Sequence, residues 1–374
     1  MRKTILTLLA LLAALLFATA ATAQDSGPVR RLSYFLAPDA AGVQQVYQLL
    51  LDGQSAPRQL TRAASDVRAF GAAYDGLSVA YISGGKLWLQ PIHTDEAEAL
   101  ADISAEQFFA SPVYSQDSQY IAYADNGVWL LDLGTRETRQ VLADVPLEPS
   151  GSNMADYRLY RPEVFVLGVD GAAPKLIVDI GIWEWNTAGV YDVATDTLQV
   201  LEGQLHTDLL PVYGGRALLY GNGGVAGEFA LHFADSLNDV NTYTRIVDFA
   251  ALPGAPADWP LFAEQAVEIA PAVVRVFGST FGATPDEVNS FYFDYNLMAG
   301  TASGVTIVTL SRGSQGSAVA GDLSPDGGVL PVYQDAVWNE TGGLSGMLEL
   351  RDLLTGETIA AAFPERVGSF AWQR

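Results

Sequence analysis

Two stretches of this chain repeat one pattern, 42 positions apart. Ala73-Tyr74-Asp75-Gly76-Leu77-Ser78-Val79-Ala80-Tyr81 aligns without gaps on Ser115-Gln116-Asp117-Ser118-Gln119-Tyr120-Ile121-Ala122-Tyr123. Each copy is followed by a second apolar run, Lys86-Leu87-Trp88-Leu89 in one and Gly127-Val128-Trp129-Leu130 in the other. A looser copy, Leu323-Ser324-Pro325-Asp326-Gly327-Gly328-Val329-Leu330, precedes Met347-Leu348-Glu349-Leu350. A second element recurs separately, as Asp132-Leu133-Gly134-Thr135-Arg136-Glu137-Thr138, Asp192-Val193-Ala194-Thr195-Asp196-Thr197-Leu198 and Asp352-Leu353-Leu354-Thr355-Gly356-Glu357-Thr358. Apolar strand-like runs flank each, so each reads as a hairpin: Asp and Thr side chains cap the turn amides, and Gly supplies the positive φ. Short strands with a turn signal every dozen positions argue for an all-β chain. A repeat of about 40–55 residues holding about four such strands is the pattern of propeller blades.

The spacings predict the number of blades. Asp52 to Asp132 spans 80 positions, or two blades, and Asp132 to Asp192 spans 60, one blade with an insertion. Asp192 to Asp352 spans 160, which divides most simply into three blades of about 53 residues. With the blade that contains Asp52 the total is seven; six is the alternative, because residues 205–315 carry no clear register. The ends fit one shared blade. Gly368-Ser369-Phe370-Ala371-Trp372 looks like the innermost strand that opens a repeat, and Arg31–Leu36, Gln45–Leu51 and Arg58–Thr61 look like the three strands that complete it. Pairing both ends in one sheet closes the ring and removes open edges. Helical periodicity is weak outside the signal peptide; Ala263 to Ala272 could form a turn or so of helix, but Pro260 and Pro271 bracket it closely.

The first residues predict export. Arg2 and Lys3 precede an uncharged Leu/Ala-rich run, and Ala21-Thr22-Ala23 gives the small-x-small pattern of a signal peptidase site. Residues 1–23 are therefore expected to be a signal peptide and 24–374 a single β-propeller, secreted or periplasmic, with no membrane insertion once the signal is cleaved. The chain has no cysteine, which excludes disulfides, thiolate metal sites and a lipid-anchored cysteine. Its formal charge is −23, and that field repels nucleic acid, whose binding depends on neutralising phosphates.

The residues at this point resemble a known group. Ser111-Pro112-Val113-Tyr114-Ser115-Gln116-Asp117-Ser118-Gln119-Tyr120-Ile121-Ala122-Tyr123 is similar to the WD-like repeat of TolB-type propellers, and Ser324-Pro325-Asp326-Gly327 matches its turn. Good matches cover about three repeats. The resemblance implies a β-propeller and structural, not catalytic, roles for Asp75, Gly76, Asp117, Asp326 and Gly327; Ser118 departs from the Gly of the pattern, and strain is expected there. TolB itself adds an N-terminal α/β domain, for which residues 24–31 leave no room.

A search for chemistry yields no catalytic set. Gly278-Ser279-Thr280-Phe281-Gly282 has Thr where a nucleophile elbow needs Ser in the centre. His93, His206 and His232 show no paired spacing, unlike the His cluster of propeller lyases of the oligogalacturonate type. Gly221-Asn222-Gly223-Gly224-Val225-Ala226-Gly227 lacks the βαβ setting of a nucleotide loop. No cofactor is expected; calcium would find ligands only in Asp235-Ser236-Leu237-Asn238-Asp239-Val240-Asn241, whose spacing misses the EF-hand pattern. With 43 acidic residues, no glycosidase pair can be nominated. What remains is surface. Insertions fall on propeller loops, where binding resides, and the candidates are Tyr157 and Tyr160 within 146–160, the pair Trp183 and Trp185, and Trp259 within 253–262. Such aromatics stack on sugars or anchor a protein partner, although Trp183 and Trp185 also fit ordinary strand packing. The expectation is a non-enzymatic module binding a protein or cell-surface partner; the alternative is a divergent hydrolase or lyase, or a lectin-like binder, acting on carbohydrate.

Overall fold

A computed structural model of the chain describes residues 31–104, 110–148, 150–151, 154, 156–166, 174–182, 185–202, 207–221, 230–257, 260–281, 288–308, 318–338 and 344–373. These residues form seven antiparallel blades in a ring, each with the four strand positions of a β-propeller. Blade 1 joins both ends of the chain: β29 (Phe370–Trp372) lies innermost, against β1 (Arg31–Pro38), then β2 (Gln44–Leu51) and β3 (Arg58–Gln59). Blade 2 is β4 (Val67–Ala72), β5 (Ser78–Ser83), β6 (Lys86–Pro91) and β7 (Glu98–Asp102). Blade 3 is β8 (Val113–Tyr114), β9 (Tyr120–Ala124), β10 (Gly127–Asp132) and β11 (Thr138–Ala143). Blade 4 is β12 (Leu159–Val166), β13 (Lys175–Ile182), β14 (Trp185–Asp192) and β15 (Thr197–Val200). Blade 5 is β16 (Thr207–Val212), β17 (Arg216–Gly221), β18 (Ala230–Ala234) and β19 (Tyr243–Asp248). Blade 6 is β20 (Leu261–Ala270), β21 (Val273–Phe281) and β22 (Val288–Asn296), its outer position shared by β23 (Thr301–Ala302) and β24 (Thr306–Val308). Blade 7 is β25 (Val319–Ala320), β26 (Val329–Trp338), β27 (Leu344–Asp352) and β28 (Thr358–Ile359).

The core lies between the blades. Each of the seven junctions holds one apolar cluster, such as Ala80, Ile82 and Leu87 of blade 2 against Ile121, Tyr123 and Leu131 of blade 3. A strand covered on both sides needs apolar residues at successive positions, which is why β5 and β13 read as continuous apolar runs. Blades also approach closely at backbone level: a Cβ on Gly71 of β4 would lie 1.8 Å from the Pro112 carbonyl oxygen next to β8. Closure is reinforced beyond the strand ladder. The Trp372 indole donates to the Asp322 carbonyl of blade 7 (2.7 Å), and the Gln373 carboxamide donates to the Ala73 (2.8 Å) and Tyr74 (3.0 Å) carbonyls of blade 2.

Three expectations change. Residues 263–272 are strand, not helix: β20 carries register shifts between Ala263 and Gln265 and between Glu268 and Ala270. Each shift adds a residue to the period of two, so Ala263, Ala266, Val267 and Ala270 fall at helical spacing on an extended strand. The stretch from Asp192 to Asp352 does hold three blades, but unequal ones, with third strands ending at Ala234, Asn296 and Asp352. Asn296 caps its turn as the aspartates do, its Oδ1 accepting from Met298 (3.0 Å) and Ala299 (2.9 Å) N–H, and the search for Asp missed it. Within these turns the left-handed residue is not Gly134 but the fourth after the cap: Arg136 (φ 63°), Asp196 (φ 55°), Gly300 (φ 65°) and Gly356 (φ 73°).

Antiparallel order divides the connections between two faces. The turns from first to second and from third to fourth strands share one face. The hairpins from second to third strands, and the connections between blades, share the other, termed here the loop face.

Candidate functional site

The turn residues form compact local networks. The Asp75 carboxylate accepts from Leu77 N–H, that of Asp117 from Gln119 N–H and Ser115 Oγ, and that of Asp326 from Gly328 N–H and Ser324 Oγ. The next residue is left-handed in each: Gly76 at φ 69°, Ser118 at 54° and Gly327 at 64°. These carboxylates hold their own turns, and that of Asp326 also accepts from the Arg31 guanidinium of blade 1.

Of the aromatics, Tyr157 and Tyr160 stand at the start of β12, on the loop face, and Tyr160 packs on the cluster between blades 3 and 4. Trp183, Trp259 and His206 lie outside the described residues, as do residues 1–30 and 222–229. Trp185 opens β14, its backbone opposite Ile182. His93 is exposed in blade 2, while His232 is buried in blade 5, edge-on to Tyr243. The structure does not bring these two histidines together. Thr280 donates to the Pro260 carbonyl (3.0 Å) from within β21, which makes no strand-to-helix elbow. Among the described residues, no three His, Asp or Glu side chains are grouped to hold a metal ion.

The loop-face end of blades 4 and 5 assembles a polar group that sequence reasoning missed. Asp144, in the connection to blade 4, accepts from Arg161 Nη1 at both oxygens (3.2 and 2.9 Å) and from Tyr160 N–H (2.8 Å). Both partners are largely buried, with side-chain exposures of 16% for Arg161 and 8% for Asp144. Tyr157 lies in the field of the same pair, and its phenol is pushed up, first by burial. Across the ladder from Arg161 stands Asp179 of β13, which accepts from Asn186 Nδ2 (3.2 Å). Burial pushes the Asp179 carboxyl up, against the opposing pull of Asn186 and Arg161.

Blade 5 adds Asp208 on its innermost strand. Burial and the nearby Asp179 charge push its carboxyl up to about 6. Its cross-strand neighbour is Tyr220, whose hydroxyl accepts the Ala266 N–H of blade 6. Burial holds that phenol well above its usual range, and the charges of Asp208, Glu163 and Asp322 add to the effect. Asp208 is thus held above the usual carboxylate range, while Asp179 sits across the ladder from a guanidinium. One signal was visible in advance: Asp179 is the lone charge inside Leu176-Ile177-Val178-Asp179-Ile180.

No protein-family model matches this chain, and no curated protein matches it in sequence. Solved structures match it in shape. A structure from an analysis of two prolyl endopeptidases shares 13% identity at a TM-score of 0.53, over 91% of this chain and 50% of that one. An oligogalacturonate lyase in complex with manganese shares 12% at 0.51, over 88% and 84%. TolB from Acinetobacter baumannii shares 14% at 0.45, over 92% and 66%. At these identities the likeness is one of fold, and enzymes are among the proteins that share it.

Proposed function

We propose that this chain is an exported, non-enzymatic β-propeller that binds a protein or cell-surface partner through its loop face. The observation that carries the reading is Tyr157 in the field of the Arg161–Asp144 pair, which the Tyr160 backbone N–H joins, at the head of the innermost strand of blade 4. An aromatic side chain beside a positioned guanidinium is the usual make-up of an interface anchor. The signal-like residues 1–23, the site at Ala23 and the net charge of −23 support a secreted or periplasmic protein of residues 24–374 that avoids nucleic acid. Among the described residues no helix is long and apolar enough to cross a membrane.

The test is a pull-down from envelope extract with residues 24–374, run beside a glycan array. A protein partner is expected on the intact chain and lost with Tyr157→Ala, while Met298→Ala, on the opposite face, retains it. Glycans alone, with no protein partner, would overturn the reading. A second reading, carbohydrate hydrolysis or lysis, is favoured by one observation, two carboxyl groups raised by burial at the loop-face end of blades 4 and 5. It predicts turnover of an oligosaccharide that Asp208→Asn abolishes.

A further inference from the structure

We propose that Met154, Met298 and Met347 are oxidant-accepting sites: each thioether takes one oxygen atom from a hydroperoxide while the propeller stays folded. The proposal stands apart from the partner reading and does not need it.

The sulfur of this chain can be counted in full. There is no cysteine, and the four methionines are Met1, which lies outside the described residues, and these three. Methionine is among the side chains most often buried in proteins, where its flexible thioether fills gaps. Here the seven junction clusters are built from Leu, Ile, Val, Phe, Tyr, Trp and Ala. The three methionines stand outside them, exposed to 78% at Met298, 45% at Met347 and 43% at Met154.

They occupy three separate places, and at each the backbone is held without help from the thioether. Met298 is in the turn after β22, on the turn face, where its N–H donates to Asn296 Oδ1 (3.0 Å). Met347 lies in β27 opposite Gln334. Strand alternation puts it on the flank shared with Ser345, Glu349 and Arg351, while Leu348 and Leu350 take the apolar flank toward blade 1. Met154 is in the connection from blade 3 to blade 4, and its N–H donates to the Gly151 carbonyl (3.4 Å).

With hydrogen peroxide the step balances without a further reactant. A sulfur lone pair attacks one peroxide oxygen, so that the S–O bond forms as the O–O bond breaks. The hydroxysulfonium passes its proton to the departing hydroxide, leaving one sulfoxide and one water; sulfur is oxidised by two electrons and the peroxide is reduced. A sulfoxide is polar, and within a core it disrupts packing. At these three positions it replaces a thioether that already faces water, so the junction clusters keep their contacts. The chain has no thiol with which to reduce the sulfoxides or to answer the oxidant by a disulfide. Reversal therefore falls to an outside sulfoxide reductase.

The test is hydrogen peroxide on the intact folded chain at neutral pH, followed by peptide mass mapping and a urea midpoint. One added oxygen is expected on each of the three methionines, first on Met298, at rates within about threefold of those in urea, since exposure governs access. The midpoint of the oxidised chain should match that of the untreated chain. A methionine that reacts only in urea, or a midpoint that falls with oxidation, overturns the proposal. With Met154→Leu, Met298→Leu and Met347→Leu combined, the blades should gain no oxygen under the same treatment. Uptake there as fast as in the wild-type chain overturns it too.

Discussion

Blades 2 and 3 repeat the same parts in the same places, whereas blades 5 and 6 reach the same architecture with parts that differ from each other. In the first pair a tyrosine of the second strand stacks on a tryptophan of the third, Tyr81 on Trp88 and Tyr123 on Trp129, with ring centroids 6.3 and 6.4 Å apart. Each indole donates to the carbonyl that opens its own hairpin, Ser83 (3.0 Å) and Asp125 (2.8 Å). These parts lie within a few residues of one another. Blade 6 is secured by a charged pair across its own hairpin and by contacts that reach blade 7. Arg275 bonds both oxygens of Asp294 (2.7 and 2.8 Å), donates to the Gly327 carbonyl of blade 7 (2.8 Å) and lies 4.8 Å over the Tyr292 ring. Gln265 donates to the Gly321 carbonyl and accepts from Leu323 N–H. The comparison teaches that a blade keeps its repeat where local parts hold it, and drifts where its neighbours hold it.

The sharpest way to break this contrast is to remove the long-range part. Arg275→Met should cost about 4 kcal/mol, because it leaves Asp294 without its partner and the Gly327 carbonyl without its donor. Lys86→Ala, which removes the exposed pair with Asp102 in blade 2, should cost less than about 1 kcal/mol. Urea midpoints of the two variants check the ratio. Equal losses would mean that blade 6 is held as locally as blade 2. The regular pair has a long-range weak point of its own at Gly71. Gly71→Ala forces a methyl against the Pro112 carbonyl oxygen, 1.8 Å away in the present geometry, so blades 2 and 3 must separate. A loss of about 3 kcal/mol is expected by overpacking, with exchange protection falling first in β4 and β8.

This division also governs what the sequence revealed. The seven blades, the shared first blade and the strand positions of blades 2, 3 and 7 were legible because Asp75, Asp117, Asp326 and Asp352 mark turns built from neighbouring residues. β20 left a short helical turn open because its two bulges put apolar residues at helical spacing on a strand. The group at Asp144, Arg161, Asp179 and Asp208 was not assembled because its members lie on three strands and one connection. Spacing along the chain says nothing about which strands become neighbours across a junction. Only Asp179 gave notice, since an isolated charge in an apolar strand must find compensation.

The smallest effect tests the repeat from inside. Ser118 occupies the left-handed position, at φ 54°, that Gly76 and Gly327 occupy in the equivalent turns. A residue with a Cβ pays about 1 kcal/mol for that conformation, and the buried Ser118 Oγ has no hydrogen-bond partner. Ser118→Gly relieves both, at the expense of a more flexible unfolded chain, which returns about half of the gain. A net stabilisation of about 1 kcal/mol is expected. The reverse change, Gly76→Ser, has space for its Cβ, since the nearest atom, Gln373 Oε1, would lie 3.5 Å away. Its expected loss of about 1 kcal/mol therefore reports the backbone conformation alone. If urea midpoints move in opposite directions for the two variants, the turns of blades 2 and 3 are one device with interchangeable residues. If Ser118→Gly destabilises, blade 3 has fitted its surroundings to the serine, and the two blades differ even where their sequences align.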